Sequence, residues 1–197
     1  PGLVPVRCVD GAGSTCHARK REHCEELPVT SDALIASLME IERHVSRIGW
    51  DQPVRLFALV PTMELLAAEP ALAQHAHRSD DPEALSAVEQ DEFRSGGDIQ
   101  QDLERISWPG SVTGCAIALE RAFVPADVES SVPADPDEAA RFVAGHPRRQ
   151  DVRVVVGVLR DGSSHGLARL KSNPEELMGA SDLVPGLTLA LAQTLED

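Results

Sequence analysis

The chain has no tyrosine, and aromatic residues make up only 3% of its 197 positions. Any aromatic recognition surface must therefore use Trp50, Trp108 or one of four Phe. Lysine is nearly missing as well. Of 18 Lys+Arg residues only Lys20 and Lys171 are lysine, and 32 Asp+Glu leave a formal net charge of -14. Such a charge excludes unspecific attraction to nucleic acid or to an anionic membrane surface. No apolar run approaches the roughly 18 residues of a spanning helix, which excludes membrane insertion by that route.

The common catalytic signatures are also missing. The sequence contains no G-x-S-x-G elbow, no H-E-x-x-H, no Walker loop and no G-x-G-x-x-G after a strand. Asp161 followed by Ser163-Ser164-His165 has the residue types of a hydrolase triad. Near neighbours on one turn cannot align nucleophile, base and orienter, so it reads as a turn. Cys8, Cys16, His17, His23 and Cys24 are zinc-type ligands, but seven residues separate consecutive cysteines. Zinc knuckles need much closer pairs. Cys115 lies in an apolar run and reads as a buried, inert thiol. The expectation is therefore no catalytic residue, no metal and no cofactor. Nothing at the start resembles a signal peptide, so the expected setting is the cytoplasm with reduced thiols.

What is present is organised from about residue 30 onward. Residues 1–27 carry no hydrophobic periodicity and read as a flexible or out-of-family tail. Residues 28–197 read as a single α+β domain. Thr30 or Ser31 can cap a helix on which Leu34, Leu38, Ile41, Val45 and Ile48 recur at helical spacing, with Gly49 as its stop. Val54–Val60 is a short apolar run between prolines and suits a buried strand, with a short helix after Thr62. Ser86 to Glu89 has capping-box spacing and predicts a helical turn inside an acidic loop. Asp98 opens a helix with Ile99, Leu103 and Ile106 on one face. Val112–Val124 predicts a strand bent or bulged near Gly114, and Pro125–Ala140 an acidic loop. Val152–Leu159 and Gly166–Lys171 predict two strands joined through Asp161-Gly162. Asp182 caps a last helix that carries Leu187, Leu191 and Leu195. These elements imply one antiparallel sheet of about four strands with helices packed on one face.

The negative charge is concentrated. Residues 79–104 hold nine acids against Arg94, and residues 125–138 hold five acids with no base. This pattern points to solvated acidic connections on which a basic protein partner can dock. Other candidate binding residues are polar groups set beside apolar structure: Trp50, Asp51, Gln52 and Arg55, then Trp108, then His146 and Arg148. Trp and Arg dominate interface hot spots.

Several of these pieces, taken together, are similar to one family. They are the run Trp50-Asp51-Gln52-Pro53-Val54-Arg55-Leu56-Phe57-Ala58-Leu59-Val60-Pro61-Thr62, then Val88-Glu89-Gln90, Ile106-Ser107-Trp108-Pro109, His146-Pro147-Arg148 and Asp182-Leu183-Val184-Pro185-Gly186-Leu187. In this order they resemble a small actinobacterial family of unknown function, over roughly residues 30–197. The resemblance implies a cytoplasmic actinobacterial protein and brings no reaction, cofactor or catalytic residue with it. The expected function is a non-enzymatic protein-interaction or adaptor domain, with a protein partner or a homodimer formed through the leucine-rich last helix. The alternative is a small-ligand-binding protein or enzyme. In that case His146 would act as base, Arg148 would clamp an anion, Asp51 would orient the imidazole and Trp50 would pack on the ligand.

Overall fold

The computed structural model describes residues 32–70, 81–181 and 183–196. The expected tail, its Cys/His cluster and the caps at Thr30, Ser31 and Asp182 lie outside the described residues. Helix α1 spans Asp32–Ile48 and is followed by strand β1 (Arg55–Pro61), helix α2 (Thr62–Ala68) and strand β2 (Leu85–Glu89). Helix α3 (Ile99–Leu103) leads to strand β3 (Gly114–Phe123) and the short helices α4 (Ala126–Glu129) and α5 (Pro136–Gly145). The chain then runs through β4 (Gln150–Leu159), β5 (Ser164–Leu170) and β6 (Asn173–Ala180) to helix α6 (Pro185–Thr194).

The strands form one antiparallel sheet in the order β2-β1-β3-β4-β5-β6. The class α+β and the antiparallel pairing are as expected, but the sheet has six strands rather than about four. Both extra strands are edges. The Ser86–Glu89 segment is not a helical turn. It pairs with β1, setting Phe57 opposite Glu89 and Leu59 opposite Ala87. Ser86 caps nothing; its Oγ lies 2.9 Å from Thr62 Oγ1. Strand β6 contains Pro174, two glutamates and Gly179, a poor strand composition that an edge tolerates. Part of the second acidic loop is helical, because Asp135 accepts a bond from the Glu138 N–H (3.0 Å) just ahead of Pro136 at the start of α5.

The helices also cover both faces rather than one. Successive side chains of a strand point to opposite sides. On β1, Phe57 and Leu59 join Leu34, Leu38, Ile41 and Val45 of α1 in one apolar cluster. Leu56 and Ala58 join Ile99 and Leu103 of α3, Leu191 of α6 and Leu195 just after it in the other. Strands β3 and β4 divide in the same way, with Ala118 and Val155 toward α1 and Ile117 and Val156 toward α6. The continuous apolar runs of the central strands follow from this double coverage. The α1 stripe is buried as expected through Val45, while Ile48 at the helix end is exposed.

Strand β3 carries no bulge at Gly114. Its ladder with β4 is continuous from Gly114↔Leu159 to Phe123↔Gln150. Glycine is needed there for close approach: a Cβ would lie 2.5 Å from the Val158 carbonyl oxygen and 2.4 Å from Leu159 Cδ2. Gly114→Ala should therefore lower unfolding stability by about 3 kcal/mol, the upper part of the overpacking range. Gly145→Ala, where nothing lies within 4 Å, should leave stability nearly unchanged. Urea unfolding of the two variants checks this, and equal stabilities would refute the close-packing assignment.

Candidate functional site

Two polar assemblies flank the sheet, one under each helical layer. The first surrounds the end of α1. Gly49, at φ 106°, ends the helix in the left-handed conformation, and Asp51 at φ 65° makes a second left-handed bend. The two bends bring Trp50 back over the sheet. Its ring lies 4.4 Å from the Arg153 guanidinium carbon and 5.5 Å from Lys171 Nζ. Such cation–ring contacts strengthen when water is excluded.

Arg153 is the centre of this assembly. It sits on β4 inside the apolar run and is 2% exposed. It donates to Glu120 Oε1 (2.8 Å), to Ser46 Oγ (3.0 Å) and to the Gly49 carbonyl. Its direct neighbour across the ladder is Arg169. Two opposed arginines repel unless neutralised. Glu42 of α1 supplies one counter-charge, accepting from Arg169 Nε (2.6 Å) and a second guanidinium nitrogen (2.9 Å). Glu120 supplies the other and also accepts the Asp51 N–H at 2.7 Å. Ser46 joins the halves by donating to Glu42 at 2.6 Å. Burial pushes the Glu42 carboxyl up, but the hydrogen bonds of Arg169 and Ser46 and the charges of Arg169 and Arg153 hold it below the usual carboxylate value.

The sequence candidates separate into three groups. Trp50, Asp51, Gln52 and Arg55 come together here: Gln52 donates to the Trp50 carbonyl (3.3 Å) and accepts from Arg55 (3.4 Å), which pairs with Glu89 at 2.6 Å. The Asp51 carboxylate is 3.7 Å from Lys171. Trp108 lies on the other side of the sheet, where its Nε1 donates to Thr194 of α6 at 2.9 Å. His146 and Arg148 form a surface pair near α5. The His146 ring lies 5.5 Å from Phe142, its Nδ1 accepts the Arg148 N–H, and Arg148 pairs with Asp127 at 2.6 Å. Within the turn Asp161–His165, Ser164 donates to the Ser181 carbonyl, and Ser163 is buried. Sequence reasoning missed Arg153, Glu120, Glu42 and Arg169. The available signal was an arginine inside a valine run, a charge that needs a partner.

The second assembly ties down α6. Thr194 Oγ1 accepts from Trp108 and donates to the Leu191 carbonyl at 2.7 Å. Cys115 Sγ lies 3.5 Å from the same hydroxyl, and burial pushes this thiol up to about 11, so it stays protonated and inert. Arg160 donates to the carbonyls of Val112 (2.9 Å), Trp108 (3.1 Å) and Leu195. The inner side of α6 is thus fixed, but its outer side is open. The helix carries no charge, and Leu189 is 63% exposed. A cleft of 510 Å³ opens between Ile99, Leu119, Val154 and Leu187, with Arg121 at its edge. A second, of 370 Å³, lies between Leu103, Glu104, Leu189 and Gln193. A third, of 520 Å³, lies on the far flank of Leu189 beside Val158 and Leu195.

Among the described residues no group of three His, Cys, Asp or Glu side chains is placed to hold a metal ion. No described helix is long and apolar enough to cross a membrane.

The lowered Glu42 carboxyl sets a pH dependence. Its folded-state value lies below its unfolded one, so it stabilises the fold above the ordinary carboxylate range. That contribution is lost as the pH falls through the lowered value. Glu42→Gln should be less stable than the parent at neutral pH and should lose less stability on acidification. Urea unfolding over a pH series reads both, and parallel pH curves would refute this role of Glu42.

No curated protein and no solved structure matches this chain. A family match covers residues 34–196, most of the chain and both helical layers. The chain therefore belongs to the PPA1309-like protein family, which is uncharacterised.

Proposed function

We propose that this protein is a non-enzymatic interaction or adaptor domain whose docking surface is the outer side of α6 with the neighbouring α3. The observation that carries the reading is Leu189, exposed on an uncharged helix between a mixed polar and apolar cleft on the α3 side and a mainly apolar one on its far flank. A large apolar side chain in such a setting marks an interaction surface more often than a solitary exposed residue does. The free Cys115 thiol and the family resemblance support a cytoplasmic setting.

A small-ligand or enzyme site built from His146, Arg148, Asp51 and Trp50 has less support. His146 and Arg148 touch each other near α5 beside Phe142 and Asp127, whereas Asp51 and Trp50 share Lys171 at the end of α1, and no contact among the described residues joins the two pairs. The Trp50 assembly is better explained as the fastening of α1.

Leu189→Gln tests the proposal. The position is exposed and glutamine is a good helix former, so stability should change by no more than about 0.5 kcal/mol. Quantitative affinity capture from cells of the native host should lose the partners held by the parent chain, and sedimentation should report any loss of self-association. Identical captured proteins and identical sedimentation for parent and variant would overturn this docking surface.

A further inference from the structure

We infer that the partner segment seated on α6 is a basic amphipathic helix of another protein. The inference rests on the docking surface proposed above and adds the chemistry of what occupies it.

The three clefts form one track. The first and second share Gln100 and Gly186, and the second and third share Leu189. The track therefore follows the α3–α6 groove and crosses the exposed ridge of α6. A helix with apolar side chains at i, i+3, i+4 and i+7 fits a groove of this kind. An extended strand would instead seek the sheet edges, and these lie elsewhere, at β2 and β6.

The rim gives the sign of the partner's charge. Asp98 and Glu104 border the groove on the α3 side, Asp102 lies between them in sequence on α3, and Glu196 borders the third cleft. Asp98 and Asp102 also hold their own loop, bonding the N–H groups of Gln100, Gln101 and Gly96. The carboxylates of Glu104 and Glu196 have no partner among the described residues. Of the nearby cations, Arg160 lines the third cleft but is committed to the backbone carbonyls of Val112, Leu195, Trp108 and Pro109, which leaves Arg121 at one end and Arg105 just beyond α3. Segment 81–104, which leads into this rim, holds eight acids against Arg94.

This charge also decides against other occupants. Two copies meeting through the same patch would bring like-charged rims together on chains of net charge -14. An anionic lipid surface would meet the same repulsion. A helix with an apolar stripe bordered by Lys or Arg meets none and draws its orientation from the rim.

The test uses the full chain and three labelled peptides, with binding read by fluorescence anisotropy. The first is a designed Leu/Lys amphipathic helix. The second has the same apolar stripe with Glu in place of Lys. The third is a scramble of the first that keeps its charge and loses the stripe. The Leu/Lys helix should bind best and weaken as salt rises from low to physiological. The double variant Glu104→Gln/Glu196→Gln should weaken it roughly tenfold, as expected for rim charges in complementary pairs. Leu189→Gln should weaken it in the same assay.

Equal binding of the scramble would reduce the effect to general charge attraction and overturn the inference. Equal or tighter binding of the Glu peptide, or no binding of any peptide, would overturn it as well. Leu189-dependent capture would then still stand as evidence for the docking surface itself. A concentration-dependent dimer abolished by Leu189→Gln would replace the basic helix with a second copy of this chain.

Discussion

A guanidinium placed inside an apolar strand sets the terms for one half of this fold. Arg153 has almost no access to water, and an unpaired charge there would be severely unfavourable. Its partners come from four directions: a strand neighbour, a helix hydroxyl, the carbonyl that closes α1 and an aromatic ring. Each has to be in place for the others to work. The end of α1, the Gly49–Asp51 bends and the register of β3 on β4 are therefore specified together. Arg169 repeats the requirement one strand over and calls on Glu42, so α1 is aligned by its apolar stripe, by the two-bonded Glu42–Arg169 pair and by Ser46 accepting from Arg153.

The opposite layer is held by other means. Neutral hydroxyl, thiol, indole and carbonyl groups fasten α6, and at its end Arg160 donates to the Leu195 carbonyl. Charge-assisted bonds draw α1 close and cover its sheet face with leucines. Neutral bonds along one side of α6 leave the other side uncovered. The division leaves one layer closed by charge pairs and the other open on its outer side.

How much of this was legible in the sequence depends on which forces shape each element. The 3–4 spacing of Leu34 to Val45 gave α1, and the valines after Val152 gave β4, because burial alone determines both. Asp98 gave the start of α3, where it accepts bonds from two N–H groups. Strands β2 and β6 were hidden because pairing makes them: the first has a capping-box pattern, and the second carries proline and acids that only an edge accepts. Covering both faces was implied by runs such as Val154-Val155-Val156 without alternation, a pattern that an open face would have interrupted. For the site, Trp50 through Arg55 did converge, whereas Trp108 and His146 did not join them. Sequence proximity to apolar structure does not say which side of a sheet a residue will occupy.

The chain contains two tryptophans and no tyrosine, and the two rings lie on opposite sides of one sheet. Trp50 rests against cations at the end of α1, and Trp108 is enclosed beside α6. Near-ultraviolet absorbance and emission therefore divide between the layers with no phenolic background. With one tryptophan replaced by phenylalanine, the light that remains comes from a single layer. Changes around the end of α1 and around α6 can then be watched separately in the same molecule.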